Sequence, residues 1–244
     1  MNLIEKILNR LPKEPIAVRK VVIGVHWTLV ASKYGGLAST MMGQKPHGES
    51  RVRDVGHLHE RSAQELAAWA LSDNLLEASI GMAAINSLLE LDNPSLEEVN
   101  ASEVITRLSK DKNLVVVGHF PFVERIKRIP KNCWVIEQQP QGDDFKEEDA
   151  KIYIPRADVV AITASAFINH TIEGLIDLCQ PESTVMVLGP STPMAPQLFN
   201  EGISFLSGSR VYDEEDAVAT IQQGATFQQV KGVRRLTLSK IIPQ

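Results

Sequence analysis

The sequence predicts an α/β protein built in two unlike parts. Three observations carry this reading. The 244 residues suffice for one or two domains at roughly 150 residues each. The second half holds five short, continuous, β-branched apolar runs, and continuous rather than alternating runs suit a parallel sheet covered on both faces. Helical patterns lie between those runs, and strands alternating with helices build βαβ units with right-handed crossovers. The first half lacks that alternation. The expectation is an α+β domain over residues 1–108 and an open, doubly wound parallel sheet over residues 109–244.

In the first part, Met1–Leu11 has the spacing of a helix. Val18–Gly24 and Trp27–Ser32 are β-rich and flank Val25-His26, which predicts a hairpin, and Gly35-Gly36 ends its second strand. Gln44–Glu60 is polar, with Pro46, Gly48 and Gly56, and reads as a loop with short extended pieces. Ser62–Leu71 and Asn74–Leu91 have helical spacing; Ser62 with Glu65 matches a capping box, and Asn93-Pro94 ends the second helix. The linker is placed in Asp92–Lys112, with a short helix at Glu103–Leu108. In the second part the strands are Leu114–Gly118, Trp134–Glu137, Val159–Thr163, Val185–Gly189 and Ile203–Leu206. The helices between or after them are Phe122–Arg128, Asn169–Leu178, Ala195–Glu201 and Glu214–Gln223.

Composition narrows the function. Hydrophobic residues at 43% and charged residues at 23% exclude a disordered chain, a collagen-like fibre and a coiled coil. The net charge of −5 argues against a nucleic-acid partner. No apolar run approaches the roughly 20 residues of a membrane span, and the charged N-terminus lacks the apolar core and cleavage site of a signal peptide. Two cysteines, Cys133 and Cys179, cannot form a disulfide scaffold, so a reducing cytoplasmic setting is expected. A symmetric homodimer is the default for a soluble chain, but no residue selects it.

Ligands of open α/β sheets bind beyond the carboxyl ends of the strands. Those ends here are rich in small and polar residues: Gly118-His119-Phe120-Pro121, Gln138–Asp143, Thr163-Ala164-Ser165 with Asn169-His170-Thr171, Gly189–Pro193, and Ser207-Gly208-Ser209. Gly189 permits a sharp turn, and Ser191 or Thr192 can cap a helix start that holds an anion; an ordinary strand-to-helix turn explains the same residues. Asn169 and Thr171 are either a cap or a ligand contact. Of the six histidines, His119 is best placed for chemistry, while His57-x-His59, near His47-Gly48-Glu49, reads as an exposed pair without a clear third ligand. In Asn74–Leu91, Glu77 and Gly81 share one helix face, and Asn86 needs a partner if buried. Close helix packing and a cleft-facing acid explain that helix equally well. The dinucleotide glycine fingerprint, the P-loop, His-Glu-x-x-His and the Gly-x-Ser-x-Gly elbow are all missing, so no standard NAD or P-loop nucleotide site is expected.

Seven segments in order along the chain resemble one family: Ile23–Val30, Gly35–Thr40, Glu77–Leu88, Val115–Phe122, Ala157–Leu175, Val187–Pro196 and Leu206–Ser209. It is the prokaryotic family described as "putative heavy-metal chelation" proteins. The resemblance implies an N-terminal domain similar to the N-terminal domain of enolase, a Rossmann-like C-terminal domain, and a site in the cleft between them. No enolase acid pair or magnesium cluster is visible in the first domain. The expected function is binding of a divalent transition metal, or of a small ligand that carries one. Glu77 and His119 are the metal-facing candidates. Asn86, Thr163, Asn169, Thr171, Gly189, Ser191 and Gly208 are the ligand-binding candidates, with Ser191 and the Gly189 turn holding an anion. The alternatives are a metal-independent enzyme acting on a small phosphorylated or carboxylated metabolite, and an interaction module with a vestigial cleft. With only two cysteines, any metal must rely on histidine, carboxylate and the ligand's own atoms.

Overall fold

The computed structural model describes residues 1–43 and 51–240. The His47-Gly48-Glu49 stretch lies outside the described residues. The strands are β1 (Lys20–Ile23), β2 (Trp27–Ala31), β3 (Gly35–Ser39), β4 (Leu96–Glu97), β5 (Asn113–Val117), β6 (Asn132–Glu137), β7 (Phe145–Lys146), β8 (Val159–Thr163), β9 (Thr184–Leu188), β10 (Phe205–Val211) and β11 (Val233–Ser239). The helices are α1 (Leu3–Leu8), α2 (Ala63–Ala67), α3 (Leu75–Leu88), α4 (Ala101–Ser109), α5 (Val123–Ile126), α6 (Ala150–Tyr153), α7 (Ser165–Ile168), α8 (Ile172–Asp177) and α9 (Glu214–Gln222).

The strands form one mixed sheet in the order β1-β2-β3-β10-β9-β8-β5-β6-β7, with β11 and β4 branching from β10. From β10 to β7 every pairing on this path is parallel. Counted from β5, these strands run 3-2-1-4-5-6, the order of doubly wound sheets whose ligand crevice opens where the winding reverses, here between β5 and β8. Alternate residues of β5 bury on opposite faces. Leu114 and Val116 meet Val104 and Ile105 of α4 and Val123 and Ile126 of α5. Val115 joins Phe167, Ile172 and Leu175 of α7 and α8. Helices therefore cover both faces, which is why these strands read as continuous apolar runs.

β10 joins the parallel strands to the antiparallel β1-β2-β3 meander. Its first residues pair with β9, its last residue, Val211, pairs with Gly35 of β3, and its whole length pairs antiparallel with β11. The Val25-His26 hairpin forms between β1 and β2, closed by Gly24 N–H donating to the Trp27 carbonyl at 2.9 Å. Several boundaries differ from the sequence expectation. Gly35-Gly36 begins a third strand instead of ending the second. β10 runs on to Val211, and β11 follows it as an unexpected strand. The expected helix at Asn169–Leu178 starts at Ile172, because His170 adopts a left-handed φ of 61° that breaks it from α7. Residues 196–201 form a 3₁₀ turn.

α3 is the centre of the first half. Every residue from Glu77 to Leu88 is buried, so the helix is apolar on nearly all sides rather than amphipathic. Two glycines allow this. A Cβ on Gly36 would lie 2.2 Å from the Ala83 carbonyl oxygen, and one on Gly81 would lie 2.0 Å from the Ala70 nitrogen. Strand backbone and helix backbone thus touch directly on one side of α3, and the 3₁₀ turn at Ala68–Leu71 touches it on the other. The helix's buried polar groups are all paired. Ser79 donates to the Leu75 carbonyl and accepts from Met41 N–H, and the Ser87 hydroxyl donates to the Ala84 carbonyl.

Glu77 is held in the same way. Its carboxylate accepts from the Arg53 backbone N–H and Nε at 3.0 Å each, from Arg53 Nη2 at 2.8 Å and from the Ser72 hydroxyl at 2.7 Å. The Arg53 guanidinium lies 4.6 Å over the Trp69 ring. Burial opposes the charge on Glu77, but the hydrogen bonds from Arg53 and Ser72 and the Arg53 charge outweigh it, so the carboxyl titrates below the ordinary glutamate range.

Two stability predictions follow from these contacts. Gly81→Ala should cost about 3 kcal/mol by overpacking, read from urea unfolding. Gly174→Ala in α8, where an added Cβ meets nothing within 4 Å, should instead gain about 0.5–1 kcal/mol. Equal effects at both positions would refute the close-packing argument. Glu77→Gln should cost about 2 kcal/mol at neutral pH. The folded pKa is lowered, so the stabilisation is full above the unfolded glutamate value of about 4.3 and is lost as pH falls through the lower folded value. Urea midpoints of wild type and variant should therefore converge in acid; a gap unchanged down to acid pH would exclude the linkage.

Candidate ligand site at the strand ends

A cavity of about 750 Å³ opens at the carboxyl ends of β5, β8 and β9 and beside the middle of β10. This is within the usual size range of small-molecule sites. The ends of β5, β8 and β9 bring His119, Thr163 and Gly189 to its wall, and Ser191, Gly208 and Ser39 of β3 complete that side. Gly118 has a φ of 100°, and a Cβ there would lie 2.9 Å from Thr163 Cβ. The turn after β5 therefore passes too close to β8 for any side chain. Gly189 also takes a positive φ, of 122°. Gly208 admits the 192–194 segment, since a Cβ there would lie 2.8 Å from Met194 Sδ.

Among the described residues His119 is the one histidine on this wall. Its backbone N–H donates to Glu137 Oε2 at 2.8 Å, which pins the β5 turn to the end of β6. Its ring Nδ1 lies 2.9 Å from Asp144 Oδ2. Ser191 is largely occupied: its hydroxyl accepts from Ser39 N–H at 2.8 Å and donates to Ser39 Oγ at 3.1 Å. Thr163 Oγ1 faces Ser165 N–H at 3.4 Å.

The remaining expected residues lie off the cavity wall. Asn86 donates to the carbonyls of Leu37 and Ser191 at 2.9 and 3.2 Å, so it buttresses the 189–193 turn from behind. Asn169 Oδ1 accepts from Thr171 Oγ1 and N–H at 2.8 and 3.3 Å, a local turn that leads into α8. Glu77 is engaged by Arg53 and Ser72 as described above.

The wall also contains residues that the sequence reading passed over. Four aromatics line it: Trp27, Phe120, Phe122 and Phe227. Phe120 and Phe122 stack with centroids 5.4 Å apart, and Trp27 and Phe227 meet at 5.3 Å. Two arginines, Arg125 and Arg235, face the same space. Among the described residues neither makes an ion pair, and Arg235 lies 5.0 Å over the Phe227 ring. Among the described residues the lining includes no aspartate or glutamate. The sequence held one usable hint: Phe120 and Phe122 flank Pro121 next to His119, and Arg125 follows one helical turn after Phe122.

Among the described residues no three histidines, cysteines, aspartates or glutamates are grouped to hold a metal ion. The His57 ring pairs with Glu60 at 2.9 Å on an exposed turn, which raises its pKa. Burial pushes the Cys133 and Cys179 thiols up to about 11, so neither is a ready thiolate.

Two family models cover most of the chain. DUF364 matches residues 100–240 and DUF4213 matches residues 4–89, and both carry the description "Putative heavy-metal chelation". An uncharacterised protein of Methanocaldococcus jannaschii is 24% identical over 208 residues, which cover 82% of this chain and 79% of that one. A crystal structure of a DUF364 protein of unknown function from Desulfitobacterium hafniense superposes with a TM-score of 0.84 at 25% identity, covering 98% of both chains. A second DUF364 structure, from Pyrococcus horikoshii, gives 0.79 at 19% identity over 97% of this chain and 98% of that one. Among the described residues no helix is long and apolar enough to cross a membrane. The DUF364 match spans more than half of the sequence, and with the agreement in fold it means that this chain belongs to the DUF364 family.

Proposed function

We propose that the chain binds a small anionic ligand carrying a divalent transition metal, in the cleft at the strand ends. One observation carries this reading: among the described residues the wall presents Arg125, Arg235 and His119 without a carboxylate. A bare divalent cation entering there meets two like charges and no acid to neutralise it. An anionic chelate reverses that balance, because it brings its own oxygen donors and leaves net negative charge for the arginines. Guanidinium groups suit carboxylate and phosphate in two-point contacts. The aromatic side chains supply the apolar remainder of the wall, as in most small-molecule sites. The family description supports the metal; the charge of the cavity supports the form in which it arrives.

A second reading is a metal-free anionic metabolite. The lack of a three-ligand group among the described residues favours it. Equilibrium dialysis of tag-free protein separates the two, using Ni²⁺ alone, citrate alone and Ni²⁺–citrate. The expected result is saturable binding of Ni²⁺–citrate. Arg125→Met combined with Arg235→Met should weaken it by about 100-fold, the loss expected for two charge-assisted hydrogen bonds. Citrate alone binding as tightly as its nickel complex would favour the metabolite reading. Ni²⁺ alone binding tightly, with no effect of the arginine variants, would overturn the charge argument.

A further inference from the structure

We propose that Asp144 is a positioning residue that presents His119 as a single imidazole ligand, so that the site selects metal chelates with an open coordination position. This rests on the chelate reading above. The Asp144 side chain is 8% exposed, and its Oδ2 also accepts from Gln141 N–H at 3.2 Å, while Asp144 N–H donates back to the Gln141 carbonyl at 3.1 Å. The carboxylate is thus fixed in a tight turn before it meets the imidazole. A carboxylate can only accept, so Nδ1 of His119 carries a hydrogen, and in the neutral tautomer the lone pair is on Nε2. Among the described residues Nε2 makes no hydrogen bond.

This is the arrangement by which metal-binding histidines are oriented. The far nitrogen donates to a carboxylate, which sets the tautomer and raises the basicity of the ligating nitrogen. Here the backbone on the other side of the ring is fixed as well, through His119 N–H on Glu137 and the close approach of Gly118 to Thr163. One imidazole, with no acid beside it in the cavity lining among the described residues, cannot strip a metal from a chelator. It can fill one vacant position on a metal whose remaining donors belong to the ligand. A fully encircled metal offers no such position.

Two nickel chelates distinguish charge from coordination. The nitrilotriacetate complex leaves positions open to an added ligand. The EDTA complex can occupy every position and carries the greater negative charge. Arginine attraction alone favours the EDTA complex; ligation by His119 favours the nitrilotriacetate complex. Tag-free protein should bind Ni²⁺–nitrilotriacetate at least 10-fold more tightly, and His119→Ala should erase that preference without weakening the EDTA complex. Asp144→Asn should lower nitrilotriacetate-complex affinity by about 10–100-fold, the range for removing an outer-shell carboxylate. It should leave EDTA-complex affinity unchanged, and Asp144→Glu should restore part of the loss. A general loss of structure would lower both affinities together and would overturn the positioning role. With the Cu²⁺–nitrilotriacetate complex, the electron paramagnetic resonance spectrum should show nitrogen coupling from an imidazole that is absent in His119→Ala. Equal or tighter binding of the EDTA complex by wild type would overturn this inference and leave the chelate reading standing. Binding of neither complex would overturn both.

Discussion

The direct contact of α3 with its surroundings is the constraint on which the rest of the structure depends. A helix normally stands off from a sheet by the length of its side chains. At Gly36 and Gly81 that spacing is removed, and backbone meets backbone on two sides of the same helix. Such an approach works only if every polar group it buries finds a partner, because an unpaired one costs about 1–3 kcal/mol. The pairings of Glu77, Ser79, Asn86 and Ser87 meet that requirement. Asn86 carries the consequence outward. By holding the carbonyls of Leu37 and Ser191 together, it ties β3 to the turn after β9. The Ser39–Ser191 hydrogen bonds repeat the tie on the cavity side. The shape of one cavity wall is therefore set by how deeply a helix behind it can sit.

The parallel strands were legible because burial on both faces leaves a continuous apolar signature in β5, β8 and β9. β3 and β11 were not, for opposite physical reasons. Gly35-Gly36 looks like punctuation, since glycine usually ends a strand; here its missing side chain is what admits α3. β11 reads Val-Arg-Arg-Leu-Thr-Leu-Ser, with two charges that dilute the apolar pattern of a partly exposed antiparallel strand. Missing β11 also meant missing Arg235, and with it half of the cavity's positive charge.

The candidate site was legible to a similar depth. His119, Thr163, Gly189, Ser191 and Gly208 could be placed from topology alone, because strand ends in such sheets converge. Glu77 could not, since a buried acid in a small-residue helix has the same sequence signature whether it faces a ligand or an arginine. The deciding partner, Arg53, lies 24 residues away and meets it only through the fold. Asp144 was hidden for the related reason that its partner, His119, is 25 residues earlier. Residue type marked Glu77 as a candidate and passed over Asp144; only long-range pairing distinguishes their surroundings.

That difference in pairing explains how one chain can hold both acids without confusing their roles. Glu77 meets a cation, so its charge is neutralised where it stands and it serves stability. Asp144 meets an imidazole nitrogen instead of a guanidinium. In the chelate reading proposed above, a metal on Nε2 would add the positive charge that the Asp144 carboxylate otherwise lacks. Arg125 and Arg235 then need only meet the charge of the ligand itself. The proposed division of positive charge, with two guanidinium groups for the anion and one imidazole for the metal, is more specific than the net charge of −5 that the composition offers. Among the described residues, the acids of this acidic chain lie outside the cavity lining.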